Sequence, residues 1–386
     1  METGDALGTA HVYRNRWYPG QGSTVRSYDH YFSALARTFD GLERADRPEL
    51  RGLRFRTVIV DEVGQATEPA ALQALRHLPA AYRGRLILVG DQEQLPPVVS
   101  ERAAGQTMTH APEVERLGIA DGETLRTSLF ERFVRRYPER LITLDRQYRM
   151  AAPISALISE TFYAGALRPG NAGVADQRLA DRFSALGIPV RAGSLAAGPR
   201  VVFVDTSDDP DALDSGSGGT GDARDNPREA DLIAALLREL PRDATGEARS
   251  LLVEGTGIIS PYRRQNNRIR AAVARLDGAL ADRVRIDTVD RFQGGERDVI
   301  FTSLTNANAG AVIGSLHADW RRMNVALSRA RRLLVIVGHR RTFTVAGPVE
   351  EEPAKERYRA LFGTIDRLAG DGEAEVIASG GLAHDV

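Results

Sequence analysis

At 386 residues the chain exceeds the size at which a single hydrophobic core keeps growing, so two domains are expected. Hydrophobic residues make up 42% and charged residues 27%. No run approaches the roughly 18 apolar residues of a membrane span, and the first residues pair no basic region with an apolar stretch, so neither a membrane protein nor a signal peptide is expected and the cytoplasm is the expected address. The absence of cysteine removes disulfides, thiolate metal sites and cysteine nucleophiles, and a net charge of -1 supplies no global field for a polyanion, which leaves a local arginine-lined groove as the route to nucleic acid.

In chain order, residues 1 to about 27 show no clear period and read as an irregular lead-in. From Ser27 to about Leu42 the apolar positions Tyr31, Phe32, Leu35, Phe39 and Leu42 recur at helical spacing. Phe55 to Val60 and Leu86 to Val89 are short β-branched runs, each leading into an acidic turn, with a helical pattern from Glu68 to Leu78 between them. That is the βαβ rhythm of a parallel sheet. A less apolar region from Val98 to about Thr124 precedes a helix at Leu125 to Tyr137 and a short strand at Leu141 to Leu144, and the domain boundary is placed here.

Val201 to Val204 is a further strand, and SDDPDALDSGSGGTGDARDNP (207–227) is a flexible loop within the second domain. Helix Arg228 to Leu240, strand Gly257 to Ser260, helix Arg263 to Leu276, and strands Val284 to Thr288 and Val299 to Leu304 follow. A helix around Trp320 to Arg331 and strand Leu333 to Val337 close the series. Beyond about Thr342 comes an acidic, Pro-containing stretch (GPVEEEPAKE), a short amphipathic helix near Arg357 to Leu368 and a Gly/Ala-rich end.

Five segments carry chemistry. FRTVIVDEVGQA delivers Asp61 and Glu62 to the carboxyl end of a strand, the edge where open α/β sheets bind ligands. One such acid suits magnesium and its neighbour an attacking water; taken alone, the pair is more readily an acidic turn. RLILVGDQEQLPP repeats the arrangement with Asp91, followed by Gln94, an amide able to bond a terminal phosphate or simply to cap a turn.

In DRQYRM, Tyr148 offers a flat stacking face and Arg149 a fork for phosphate. RIDTVDRFQGGERDVIF sets a Gly-Gly turn between two strands, with Gln293 and Glu296 placed for polar contacts such as a ribose hydroxyl, or else a plain hairpin of glycine and charge. RRMNVALSRARRLLVIVG gathers Arg322, Arg329, Arg331 and Arg332, where Arg329 is a candidate to enter a nucleotide site and a solvated helix face is the bland alternative.

The order of the segments is more specific than any one of them. DEVGQA, GDQEQLPP, QYRM, SPYRRQ, TVDRFQGGERDVI and NVALSRARRLLVIVG resemble, in sequence and rough spacing, motifs II through VI of the superfamily 1B helicases, above all the RNA-surveillance group and its DNA-replication relatives. They span about Phe55 to Gly338.

The resemblance implies an α/β fold of two RecA-like P-loop NTPase domains with parallel sheets, the first incomplete. It places 1–122 in a partial first domain, 123–345 in the second, and 346–386 in an acidic and Gly/Ala tail. It further implies ATP and Mg2+ as ligands and single-stranded DNA or RNA as partner. On it, Asp61 holds the metal, Glu62 activates water, and Gln65 and Gln94 couple nucleotide state to the cleft. Tyr148 lies near adenine, Arg149 and Arg329 meet the γ-phosphate, Glu296 contacts ribose, and Gln293 and Gly294 share its turn. Pro261, Tyr262 and Thr288 fall in segments that touch the nucleic-acid backbone in relatives.

One departure stands out. The family's GxxGxGK[ST] loop, whose amides and lysine grip phosphate, does not occur, and the chain's one lysine, Lys355, lies far from where such a loop belongs. The expectation is therefore a helicase portion that does not turn over alone and takes the Walker A loop from a missing amino-terminal segment or a partner chain. A non-hydrolysing module that binds nucleic acid or protein is the alternative.

Overall fold

The computed structural model describes residues 54–68, 70–71, 78, 84–99, 126–216, 224–240, 242–292 and 294–382. The lead-in, the helix at Ser27 to Leu42, most of the helix at Glu68 to Leu78 and most of the region Val98 to Thr124 lie outside them. Two compact units divide the described residues, one within Met1–Gly90 and Pro97–Arg132, the other within Asp91–Pro96 and Phe133–Val386. The division falls inside helix α1 (Leu129–Arg136), about ten residues beyond the expected boundary, and Gln94 goes with the second unit.

The first unit contains parallel strands β1 (Thr57–Val60) and β2 (Arg85–Leu88), in register from Thr57 opposite Arg85 to Val60 opposite Leu88. The ladder continues past the strands: Val89 N–H donates to Val60 O at 2.8 Å and Val63 N–H to Val89 O at 3.0 Å. Gly90 is required by this close approach, because a Cβ there would lie 3.0 Å from Gly64 N and 3.2 Å from the Phe130 ring. Arg132, on the same helix as Phe130, ties it to Glu68 at 2.6 Å.

The second unit begins with a parallel pair, β3 (Arg146–Gln147) and β4 (Arg168–Pro169), joined by helix α2 (Ala152–Phe162). The strand expected at Leu141 to Leu144 does not form. That segment finds no ladder partner among the described residues, Ile142 is 85% exposed, and pairing starts only at Arg146.

A six-stranded parallel sheet follows, in the order β10-β5-β9-β8-β6-β7. Its strands are β5 (Val201–Asp205), β6 (Thr256–Ile259), β7 (Arg285–Asp287), β8 (Arg297–Ser303), β9 (Ala330–Gly338) and β10 (Ala374–Ala378). Continuous apolar runs such as LLVIV in β9 are those of a strand covered on both faces, and the period of two explains how. Val201, Phe203, Leu334 and Ile336 join one core with α2 and α7 (Glu352–Gly370). Val202, Val204, Leu333 and Val335 join the opposite core with α3 (Pro227–Glu239) and α4 (Arg263–Leu276). Asn226 caps α3 by accepting from Glu229 N–H, with Pro227 following it.

The bland alternative for the Gly-Gly turn, a plain hairpin, does not form: β7 and β8 both run parallel to β6, which lies between them, and the connection carries a short helix, α5 (Val289–Phe292), before the glycines. The stretch set apart as a tail is structural. α7 buries Tyr358, Leu361, Phe362 and Ile365, and β10 pairs along the whole of β5. Among the described residues no helix is long and apolar enough to cross a membrane.

Candidate functional site

In the first unit, Asp61 and Glu62 leave β1 at its carboxyl end. Asp61 Oδ1 accepts Glu62 N–H at 3.0 Å, and Gln65 Nε2 donates to Glu62 Oε2 at 2.8 Å. Glu62 adopts a left-handed backbone, φ 54° and ψ 28°, a conformation that strains any residue with a Cβ by about 1–2 kcal/mol. The turn is held from below by Val63, fully buried, so the two acids stay exposed above it. Asp61 is one hard donor at a strand end, which fits a magnesium ion whose other ligands are water and phosphate oxygens.

In the second unit the predicted arginines lie close together in the fold. Arg149 Nε donates to Glu296 Oε2 at 2.9 Å and Nη1 to Ser328 O at 3.1 Å, beside Arg329 in the chain. Arg331 reaches the other Glu296 oxygen at 3.2 Å. Arg329, only 4% exposed, just follows helix α6 (Arg321–Leu327). Its Nε donates to Val325 O at 3.0 Å, while its two Nη groups meet Gly295 O at 3.4 Å and Gln94 Oε1 at 3.5 Å. Gly294 has φ 74°, a turn that favours glycine, and Gln293 lies outside the described residues.

Tyr148 is 63% exposed, its ring free to meet a flat partner. The ring occupies the space over Gly170, where a Cβ would come within 2.2 Å of it. Gly170 is held there because its N–H donates to Gln147 O at 2.7 Å, extending the β3–β4 ladder. Gln147 in turn shapes the motif: its Oε1 accepts the N–H of Arg149 at 2.8 Å and of Met150 at 2.7 Å.

The three residues expected near nucleic acid separate. Pro261 and Tyr262 are buried; Tyr262 is 1% exposed and donates its hydroxyl to Asn306 Oδ1 at 2.7 Å, so its side chain packs the interior. Thr288 lines a surface cleft of about 170 Å³ together with Arg263, Asn266, Arg270, Asp287 and Arg291. Three guanidinium groups with hydroxyl and amide neighbours can hold phosphates without reading bases.

Nearby, the carboxyl ends of β6 and β8 meet the amino end of α3 in a buried polar layer. Glu229 accepts from Ser303 Oγ at 2.6 Å, from Thr305 N–H at 2.8 Å and from Asn226 Nδ2 at 3.2 Å. Full burial pushes its carboxyl up to about 8 despite these donors.

Residues 125–341 match a family described as "AAA domain", and residues 41–102 match a second family of that description. The DNA replication ATP-dependent helicase/nuclease JHS1 of Arabidopsis thaliana is 32% identical over 77% of this chain and 20% of its own length. The DNA polymerase alpha-associated DNA helicase A of Saccharomyces cerevisiae is 30% identical over 74% of this chain and 38% of its own. Helicase SEN1 of the same yeast is 30% identical over 75% of this chain and 11% of its own. The chain belongs to the superfamily 1 helicase group.

It spans well under half the length of these relatives. The solved structure of PRRSV helicase overlaps it at a TM-score of 0.29 and 14% identity, over 73% of this chain and 34% of that one, too low to add to what the sheet itself shows. Within the helicase frame, Gln147 and Gly170 are the supports that sequence reasoning passed over. The signal for Gln147 was its place inside QYRM; Gly170 gave none, since only the fold brings it beneath Tyr148.

Proposed function

We propose that the chain is the part of an ATP-dependent superfamily 1 motor in which nucleoside triphosphate hydrolysis drives movement along single-stranded nucleic acid. The observation that carries this is the buried Arg329, oriented by two backbone carbonyls toward Gln94, with Arg149 anchored on the carbonyl next to it. Two cations fixed this way suit a reaction catalysed by positioning and by neutralising charge on phosphoryl oxygens, where one arginine contributes roughly a thousand-fold in rate, about 4 kcal/mol of barrier.

Glu62, exposed on its strained turn, orients and deprotonates the attacking water; Gln65 holds its carboxylate. Asp61 would hold magnesium, which when bound draws charge from the phosphates. Tyr148 stacks on the adenine, Glu296 and the turn at Gly294 face the ribose, and Gln94 senses the terminal phosphate through Arg329. Thr288, Arg263, Arg270 and Arg291 grip the strand.

These 386 residues contain no GxxGxGK[ST] loop, so turnover requires that loop from sequence ahead of this portion or from a partner chain. Lys355 is no substitute. It is buried, and its ammonium donates to the carbonyls of Ala311 and Val345. The missing loop also favours one second reading, a module that binds nucleic acid or protein without hydrolysis.

The test is nucleic-acid-stimulated ATPase, with binding of ATPγS and ADP measured alongside. The chain alone is expected to bind ATPγS weakly and not to turn over ATP. Robust turnover abolished by Glu62→Gln refutes the need for an added loop. Nucleic-acid affinity indifferent to millimolar ATPγS establishes the binding module instead.

A further inference from the structure

The segment Asp91–Pro96 opens with the acid at the end of β2, yet it belongs to the second unit, and the way it is held there singles out a residue that no motif contains. Leu95 is 4% exposed and packs in the same core as Met150 and as Ile154 and Ile158 of α2. Tyr163, immediately after α2, donates its hydroxyl to Asp91 Oδ2 at 2.7 Å. The same oxygen accepts Gln94 Nε2 at 2.8 Å, and Asp91 Oδ1 accepts Glu93 N–H at 2.9 Å. From α6, Asn324 Nδ2 donates to the Tyr163 hydroxyl at 2.9 Å and to Glu93 O at 2.7 Å.

These bonds form one directed chain. Asn324 donates to Tyr163, Tyr163 donates to Asp91, and Asp91, able only to accept as a carboxylate, fixes the Gln94 amide with its N–H groups inward. The Gln94 carbonyl oxygen is thereby left facing Arg329 at 3.5 Å. Asn324 and Arg329 lie within and just beyond the same helix, so both ends of the chain of bonds are anchored on one element. Burial and the Asp91 carboxylate push the Tyr163 hydroxyl well above its ordinary range, so it remains a proton donor.

We propose that Tyr163 is a positioning residue, a latch that holds Asp91–Pro96 on the second unit and sets Gln94 against Arg329. The proposal rests on the nucleotide reading for one part only, that what Arg329 touches is the γ-phosphate; the latch itself is independent of it. Tyr163 touches no reacting atom. It acts through Asp91, and losing its hydroxyl lets the Gln94 amide turn away from the arginine.

The test is deuterium exchange of the whole chain, comparing wild type with Tyr163→Phe, which keeps the ring, and with Asn324→Ala, which breaks the chain of bonds at its other end. Peptides covering 91–96 are expected to exchange at least tenfold faster in both variants, with α4 peptides unchanged. In wild type, 10 mM Mg-ATPγS is expected to protect 91–96 beyond what Mg-ADP does, and in Tyr163→Phe that difference disappears. Unchanged exchange of 91–96 in both variants overturns the latch, and an ATPγS-specific protection that survives Tyr163→Phe overturns the positioning role. A wild-type chain whose 91–96 responds alike to the two nucleotides overturns the γ-phosphate reading, and the latch is then decided by the nucleotide-free comparison.

Discussion

Arg149 and Arg331 share one carboxylate, at 2.9 Å and 3.2 Å from the two oxygens of Glu296. Arg149 and Glu296 are 34% and 43% exposed, so solvent screens the pair and its contribution to stability is below about 1 kcal/mol. Glu296→Gln is therefore expected to shift the urea midpoint only slightly, and less at 1 M salt than at 0.05 M. In a motor with its phosphate loop supplied, Arg149→Ala is expected to lower turnover by roughly a thousand-fold, as the electrostatic role proposed for it requires. A large stability loss in Glu296→Gln would show that the pair is a structural keystone.

Glu62 sits at φ 54°, and this lets its proposed catalytic role be separated from its effect on stability. Both Glu62→Gly and Glu62→Ala remove the carboxylate, but only glycine relieves the left-handed strain. Glu62→Gly is expected to be more stable than Glu62→Ala by about 1 kcal/mol in urea unfolding, with both inactive in a completed motor. Equal stabilities would mean that the turn relaxes once the carboxylate is gone.

Gly170 leaves room for the Tyr148 ring. A methyl group in that space displaces an exposed ring without touching the core, so Gly170→Ala is expected to leave the melting temperature nearly unchanged. It should weaken adenine nucleotide binding about as much as Tyr148→Ala does. The double variant is expected to be no worse than either single one, the sign that both act on one contact; additive losses in the binding titration would disconnect them.

Glu229 gives a pH signature. Its carboxyl is pushed up to about 8 in the fold, against an ordinary value of 4.5, so the native state keeps a proton that the unfolded chain releases. That contribution to stability is fully present below about pH 4.5 and is lost as pH rises through 8. Thermal melts from pH 5 to 9 are expected to fall more steeply in wild type than in Glu229→Gln, whatever the variant's absolute stability. Parallel slopes would place the carboxyl near its ordinary range.

The arginine cleft predicts a salt law. Each of Arg263→Ala, Arg270→Ala and Arg291→Ala is expected to reduce the slope of log affinity against log salt by about 0.7 for single-stranded nucleic acid, uniformly across base sequence. An unchanged slope in all three would move the strand elsewhere.

Much of this was legible in the chain because parallel strands write themselves plainly. LLVIV in β9 and the apolar run of β5 stand at their expected places, and α4 begins and ends at the expected Arg263 and Leu276. The misread parts depend on partners distant in sequence. GPVEEEPAKE reads in the sequence only as an acidic, Pro-containing stretch of the tail. In the fold, Glu351 accepts the N–H of Ile313 at 3.0 Å and of Gly314 at 3.2 Å, and Lys355 donates to the Ala311 carbonyl, contacts that local pattern does not announce. Tyr262 stands in a segment that resembles one touching nucleic acid in relatives, whereas in the fold it is buried with its hydroxyl on Asn306, 44 residues away. For the site, the acids and arginines were visible as residue types, whereas Gln147, Gly170 and Tyr163 appear only when neighbouring strands and helices are assembled around them.

The matched AAA segment stops at residue 341, but the sheet does not. α7 and β10 form its last layer, with Phe362 against Phe203 at a ring distance of 5.0 Å and Ala374 to Ala378 aligned along Val201 to Asp205. Anyone trimming the gene at the motif boundary would strip off a wall of the building, leaving β5 as a raw hydrogen-bonding margin prone to self-association.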